Sequence, residues 1–220
     1  MDCNALEKAV IGYFRKPDAL GIIALFAAEP VTERWRAQTV LTLPVFLALV
    51  VDAQPDAAAA LVDAIRGGDP VKVEMVAQAL NYSHHTDRRR LMERLVGEHA
   101  AGAMDPDGAV FTEFLPTHPV HVDMLWAAFF ATGDVAYVDR ISGLLAGWMP
   151  EAQLQPLLAV AARDEAVAQR AMAGVLAGAA QLSLSVNARD LVEVRAALEA
   201  FAGRQDGLGS AMAARILAGL

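Results

Sequence analysis

The chain has one cysteine, Cys3, in 220 residues. A single thiol makes no internal disulfide and suits a reducing compartment. Charged residues are also sparse, at 20%, against 55% hydrophobic ones, and mean hydropathy is +0.35. A disordered chain has the opposite balance, so intrinsic disorder is excluded. Positive charge is in deficit: the formal net charge is −8 and the isoelectric point about 5.1. Counterion release on a phosphate backbone needs clustered Lys and Arg, so this balance argues against a nucleic-acid partner.

Long apolar runs are missing too. A membrane-spanning helix needs about 20 apolar residues. Leu41 to Val51 is shorter and is broken by Thr42 and Pro44. Ala171 to Val186 is longer but carries Gln181, Ser183 and Ser185 and is rich in Gly and Ala, so it reads as a buried helix of a helical stack. No membrane span is expected. The opening MDCNALEKAV places Asp2 before any basic residue and has no apolar core, unlike a secretory signal. The expected location is the cytoplasm.

Helix punctuation is abundant. Much of the apolar fraction is alanine, the best helix former, and valine falls at helical rather than alternating spacing. Asn4 caps a first helix with Leu6, Val10, Tyr13 and Phe14 on one stripe, ended by Pro17. Asp18 starts a second, with Leu20, Ile23 and Ala27 aligned, and Thr32 opens a third, kinked at Pro44. Asp56 begins a fourth. Gly67-Gly68-Asp69-Pro70 then supplies a left-handed C′ residue, an N-cap and a first-turn proline, the grammar of a tight helix–turn–helix. The next helix should bury Val73, Val76, Ala77 and Leu80, and Thr86 or Asp87 caps the one after, running to about His99.

Residues 100–117 break the pattern with repeated Gly and Pro signals, as a long loop pinned by Phe111 and Phe114. Helices resume at Pro119, with Val122, Leu125, Trp126, Phe129 and Phe130 on a wide apolar face. Thr132-Gly133-Asp134 repeats the earlier turn logic. After it, Tyr137, Ile141, Leu144, Leu145 and Trp148 face inward, and a long helix runs from Asp164 to about Ala188. The architecture expected is all-α: antiparallel α-hairpins stacked as a superhelix or solenoid, one domain over residues 1–220 with a subdivision near 100–117. No residue pattern recurs at a fixed period.

Motifs that carry chemistry are few. His118 and His121 stand three apart at a helix start, but no Glu-x-x-His, Cys or third ligand is local, so no metal is expected. Arg88, Arg89 and Arg90, with Arg94, His84 and His85, form the one dense basic cluster, suited to an acidic peptide, a phosphate or RNA, or to a solvated face paired with Asp87 and Glu93. Ser183, Ser185 and Asn187 interrupt an apolar helix. No Gly-x-Ser-x-Gly accompanies them, so a hydrogen-bonding ladder is the better account. Gly174 and Gly178 fit close helix crossing, and no phosphate- or dinucleotide-binding glycine pattern exists, so no cofactor is expected.

The segment Asp123 to Ile141, DMLWAAFFATGDVAYVDRI, resembles a stretch of uncharacterised bacterial helical-repeat proteins, tetratricopeptide-like or HEAT-like. A Leu-Trp-rich helix there precedes Thr-Gly-Asp, then Tyr-Val and a basic residue. The matching positions are Leu125, Trp126, Thr132, Gly133, Asp134, Tyr137, Val138 and Arg140, and Ser183, Ser185 and Asn187 are similar in placement. The resemblance implies a tetratricopeptide-like or HEAT-like superhelix and no known activity. The functional expectation is therefore a scaffold binding a protein or peptide through Arg88, Arg89, Arg90, His118 and His121. The alternatives are an enzyme built on residues 100–121 with Asp105 or Asp107, and a self-associating structural protein forming a homo-oligomer.

Overall fold

The structure is a computed structural model and describes residues 5–204 and 207–220, so Asp2, Cys3 and the Asn4 cap lie outside the described residues. Helix covers 77% of what is described, and no strand occurs there. The chain divides into two compact units, Met1–Phe111 with Ala127–Gly133, and Thr112–Trp126 with Asp134–Leu220. One crossing falls between Phe111 and Thr112, inside the irregular stretch.

The first unit holds α1 (Ala5–Gly12), α2 (Ala19–Ala28), α3 (Glu33–Thr39), α4 (Leu43–Ala53), α5 (Asp56–Ile65), α6 (Pro70–Tyr82), α7 (Arg88–Val96), α8 (Glu98–Gly102) and the end of α9 (Pro119–Thr132). Side-chain caps start α2, α3 and α6 where the sequence places them, whereas Asp87 stands at the N-cap of α7 without a side-chain cap bond. Asp18 accepts from the Gly21 amide at 2.9 Å, Thr32 from Trp35 at 3.1 Å and Asp69 from Val71 at 2.8 Å. Gly67 takes φ +72° at the α5–α6 turn, the left-handed conformation that glycine adopts without cost. Helices α4 and α6 pack together, as do α5 and α7, so helices two apart in the chain lie side by side. In this unit Phe26, Phe46, Leu47, Leu61, Met75 and Leu80 are fully buried.

Four expectations for this unit need correcting. Pro44 does not kink a helix: the chain breaks after α3, and Pro44 sits in the first turn of α4, bent by 59° from α3. Proline's missing amide costs nothing at that position. On α2 the buried residues are Ala19, Ile22, Ile23 and Phe26, while Leu20 stays 63% exposed. On α6 the buried stripe is Lys72, Met75, Val76, Ala79 and Leu80, a face rotated from the one expected. A lysine marks it: the Lys72 ammonium donates to the Ala27 carbonyl at the end of α2 (2.8 Å) and lies over the Phe26 ring. Its apolar stem packs while its head satisfies a helix end, which a hydrophobic count cannot see. The expected sixth helix is also split, because Gly97 at φ +96° separates α7 from α8.

The second unit is organised differently. It contains the start of α9, then α10 (Val135–Gly143), α11 (Glu151–Val160), α12 (Glu165–Asp190), α13 (Val192–Ala202) and α14 (Leu208–Ala218). Helix α12 has 26 residues, roughly 39 Å at 1.5 Å per residue, and α10, α11, α13 and α14 all pack against it. Asp164 caps it, accepting from Ala166 at 2.9 Å and Val167 at 3.2 Å. By length and composition α12 could cross a membrane, but its face of Ala177, Ala180, Leu184 and Ala188 is core of this unit. Ser183, Ser185 and Asn187 hydrogen-bond to carbonyls of Ala180, Gln181 and Ser183 on their own helix.

Small residues set the close approaches. A side chain on Gly147 would meet the Ala173 carbonyl oxygen at 2.7 Å, and one on Gly174 would meet Leu154 and Met149 at 3.0–3.1 Å. Gly178 breaks the expectation of a close crossing: nothing lies within 4 Å of where its Cβ would stand. Spacing placed both glycines on adjacent turns, but α11 ends its cover at Gly174.

Candidate functional site

The site begins where α6 stops. Beyond Tyr82 the chain runs without helix to Asp87, and its polar groups need partners. Asp52, near the end of α4, supplies them. Its carboxylate accepts from the Ser83 hydroxyl and from the His84 amide at 3.0 and 3.1 Å. The buried Ser83 oxygen in turn accepts from the His85 amide at 2.9 Å. The His85 ring accepts from the Asp87 amide through Nδ1 (3.0 Å) and donates through Nε2 to the Pro55 carbonyl (3.1 Å). That pairing places the ring proton on Nε2, since a carbonyl only accepts.

Arg88 ties this connection to the long loop. Its guanidinium donates to the Asn81 carbonyl (3.0 Å) and to those of Asp105 (2.6 Å) and Pro106 (2.5 Å). The Asn81 side chain accepts from the Asp105 amide at 2.9 Å, and the Ala109 amide donates to the Tyr82 carbonyl at 2.9 Å. Gly108, at φ +73°, lets the loop lie against the Tyr82 and Ser83 carbonyls, which a side chain would strike at 2.9–3.1 Å. Phe111 is buried edge-on to Tyr82. Residues 105–111 are thus tied along the rim of this unit by hydrogen bonds and a buried ring.

The basic cluster sits on this rim with most of its charge answered. Arg90 pairs with Asp87 at 2.6 Å, Arg89 faces Glu93 at 3.7 Å, and Arg94 pairs with Asp63. Arg88 is committed to carbonyls and half-buried. Arg89 and Arg90 keep 72% and 75% of their side chains exposed, so their pairs are weak and easily re-aimed. Beside them Arg89, Glu98, His99, Gly102 and Ala103 line a shallow depression of about 420 Å³.

His118 and His121 belong to the other unit, where they cap the start of α9. The His118 ring accepts from the Val120 amide at 3.3 Å, and the His121 Nδ1 accepts from the Thr117 amide at 3.0 Å. The Phe114 ring packs edge-on to His121, and the Phe114 carbonyl accepts from Arg140 at 2.5 Å. Burial, and secondarily the neighbouring His118 charge, lower the His121 pKa from its usual 6.5.

These arrangements limit the chemistry. Ser83 touches a carboxylate rather than an imidazole and is closed to solvent, so it is not set up as a nucleophile. Asp105 turns its carboxylate on the Asp107 amide at 2.9 Å. Among the described residues no group of three or more His, Cys, Asp or Glu is placed to hold a metal. The sequence pattern passed over Asp52, Asn81 and Ser83. The available signal was Asp52 itself, a lone carboxylate ending the apolar run LPVFLALVVDA. No protein-family model, curated protein or solved structure matches this chain.

Proposed function

We propose that this chain is a binding scaffold of stacked α-hairpins, related in kind to the helical-repeat proteins it resembles, that takes a protein or peptide partner on the rim of its first unit. One observation carries the proposal. Arg88 ties the end of α6, through the Asn81 carbonyl, to the loop, through the Asp105 and Pro106 carbonyls, and Arg89 and Arg90 stand exposed beside it. A rim ordered in advance spends little entropy on binding. Exposed guanidinium forks held only by weak surface pairs with Glu93 and Asp87 suit an acidic or phosphorylated segment, because they can re-aim to bond a carboxylate or phosphate in two places at once. The side-by-side packing of α4 with α6 and α5 with α7 supports the hairpin stack. The single thiol suits a cytoplasmic setting.

A panel of acidic and phosphorylated peptides, titrated at low and moderate salt, tests this. Replacing both Arg89 and Arg90 with Ala should weaken binding by about tenfold or more, the scale of a lost charge-assisted hydrogen bond, and flatten the salt dependence. Unchanged binding with the fold intact would remove the rim from consideration.

A further inference from the structure

Helix α11 covers only the first half of its long neighbour. It runs back along α12 from Gly174, where Met149 and Leu154 both meet it. Past Gly174 the Trp148 indole still reaches Gln181 (2.7 Å), but the flank of α12 beside it is open. Gly178, Leu182 and Val186 follow at intervals of four, so they share one face. Leu182 is 70% exposed and Val186 52% exposed. The unit therefore presents a step, a ridge made by α11 followed by an uncovered apolar stripe.

We propose that this stripe is the two-fold interface of a homodimer, with α12 of one copy antiparallel to α12 of the other about Leu182. The step is self-complementary, as a closed two-fold contact requires. Gly178 and Val186 lie four residues either side of Leu182, so each copy's Val186 meets the other's Gly178. The glycine leaves a dent with nothing within 4 Å, and the valine supplies the knob. Charge agrees as well. Arg189 lies seven residues beyond the axis, about 10 Å along the helix, and faces the region of position 175 in the second copy. There α11 begins, and Glu151 stands between the two residues that meet Gly174. Both Arg189 and Glu151 are exposed, and among the described residues neither has an ion-pair partner in its own chain. The two-fold axis makes this pairing twice. In the same register each copy's α11 seats beside the other's bare stripe.

Sedimentation velocity of the full chain over a concentration series tests the proposal, with circular dichroism confirming helix in every variant. The wild type should be a dimer and Leu182→Glu a monomer. Arg189→Glu and Glu151→Arg should each weaken association by about tenfold, since each creates two repulsions, and the double variant should regain it. Leu182→Cys in a Cys3→Ser background should cross-link to itself under mild oxidation, because only a residue on the axis meets its own copy. A wild-type monomer at all concentrations, a dimer unaffected by Leu182→Glu, or a double variant that fails to recover would overturn the interface. So would a monomer that binds lipid vesicles through Leu182.

Discussion

The two units use the same alanine-rich helices but assign their polar groups and glycines opposite tasks. In the first, Asp52, Asn81, Arg88 and His84 reach across sequence to bond backbone groups of connecting segments. Its glycines 67, 97, 108 and 133 take positive φ at turns. In the second, Ser183, Ser185 and Asn187 fold back on their own helix, and Gly147 and Gly174 admit neighbouring helices. A unit of short helices must satisfy many helix ends, whereas a unit wrapped on one long helix has few ends and many crossings. Backbone satisfaction therefore dominates the first and packing distance the second.

The largest expected effects probe the cores. Phe46→Ala should cost about 3–5 kcal/mol and Leu184→Ala about 2–5 kcal/mol, from lost burial and the cavity left behind. Urea denaturation followed by helical signal measures both, and equal losses would show the cores to be comparably packed despite their different architecture. Loop ties come next. Arg88→Ala should cost about 1.5–3 kcal/mol and speed amide exchange over residues 103–111, while Arg90→Ala stays within about 0.5 kcal/mol. Slow exchange persisting in Arg88→Ala would mean Gly108 and Phe111 hold the rim unaided.

Glycine tests the other side of the comparison. Gly147→Ala should cost about 1–3 kcal/mol, because a backbone carbonyl stands in the way. Gly12→Ala, with open space around it, should be neutral or stabilise by up to about 1 kcal/mol. The smallest effect is a pH dependence in the second unit. His121 has a lowered folded pKa, so the unfolded chain binds more protons as pH falls through the usual 6.5. Stability should decline on acidification through that point and level off below the folded pKa. Protonation also removes the Nδ1 acceptor of the Thr117 amide. His121→Gln should flatten the profile between pH 7.5 and 5.5 in repeated urea titrations, and an unaltered slope would assign it to other groups.

Elements were legible wherever a single short-range interaction decides them. Asp18, Asp69, Asp134 and Asp164 each cap the helix that follows, and Gly67 and Gly133 take the left-handed turn. The candidate site was legible only in part. Arg88 to Arg90 were identifiable as a cluster, but Arg88 differs from its neighbours through carbonyls 17 and 18 residues away. Faces were less legible than elements. A lysine among apolar residues suggests an exposed side, and Lys72 is buried because the end of α2 lies where its ammonium can reach.

What the sequence determined by itself is the helical class, the turn positions and most of the caps, since these rest on backbone geometry and hydrogen bonds within a few residues. Which helix face is buried, which arginine clamps and which stays exposed, and where α11 stops covering α12 were decided by tertiary structure. Those outcomes depend on partners brought together from far along the chain, and local pattern carries no record of them. Gly174 and Gly178 show the difference: two glycines on one helix, four residues apart, one pressed by a neighbouring helix and the other facing open space.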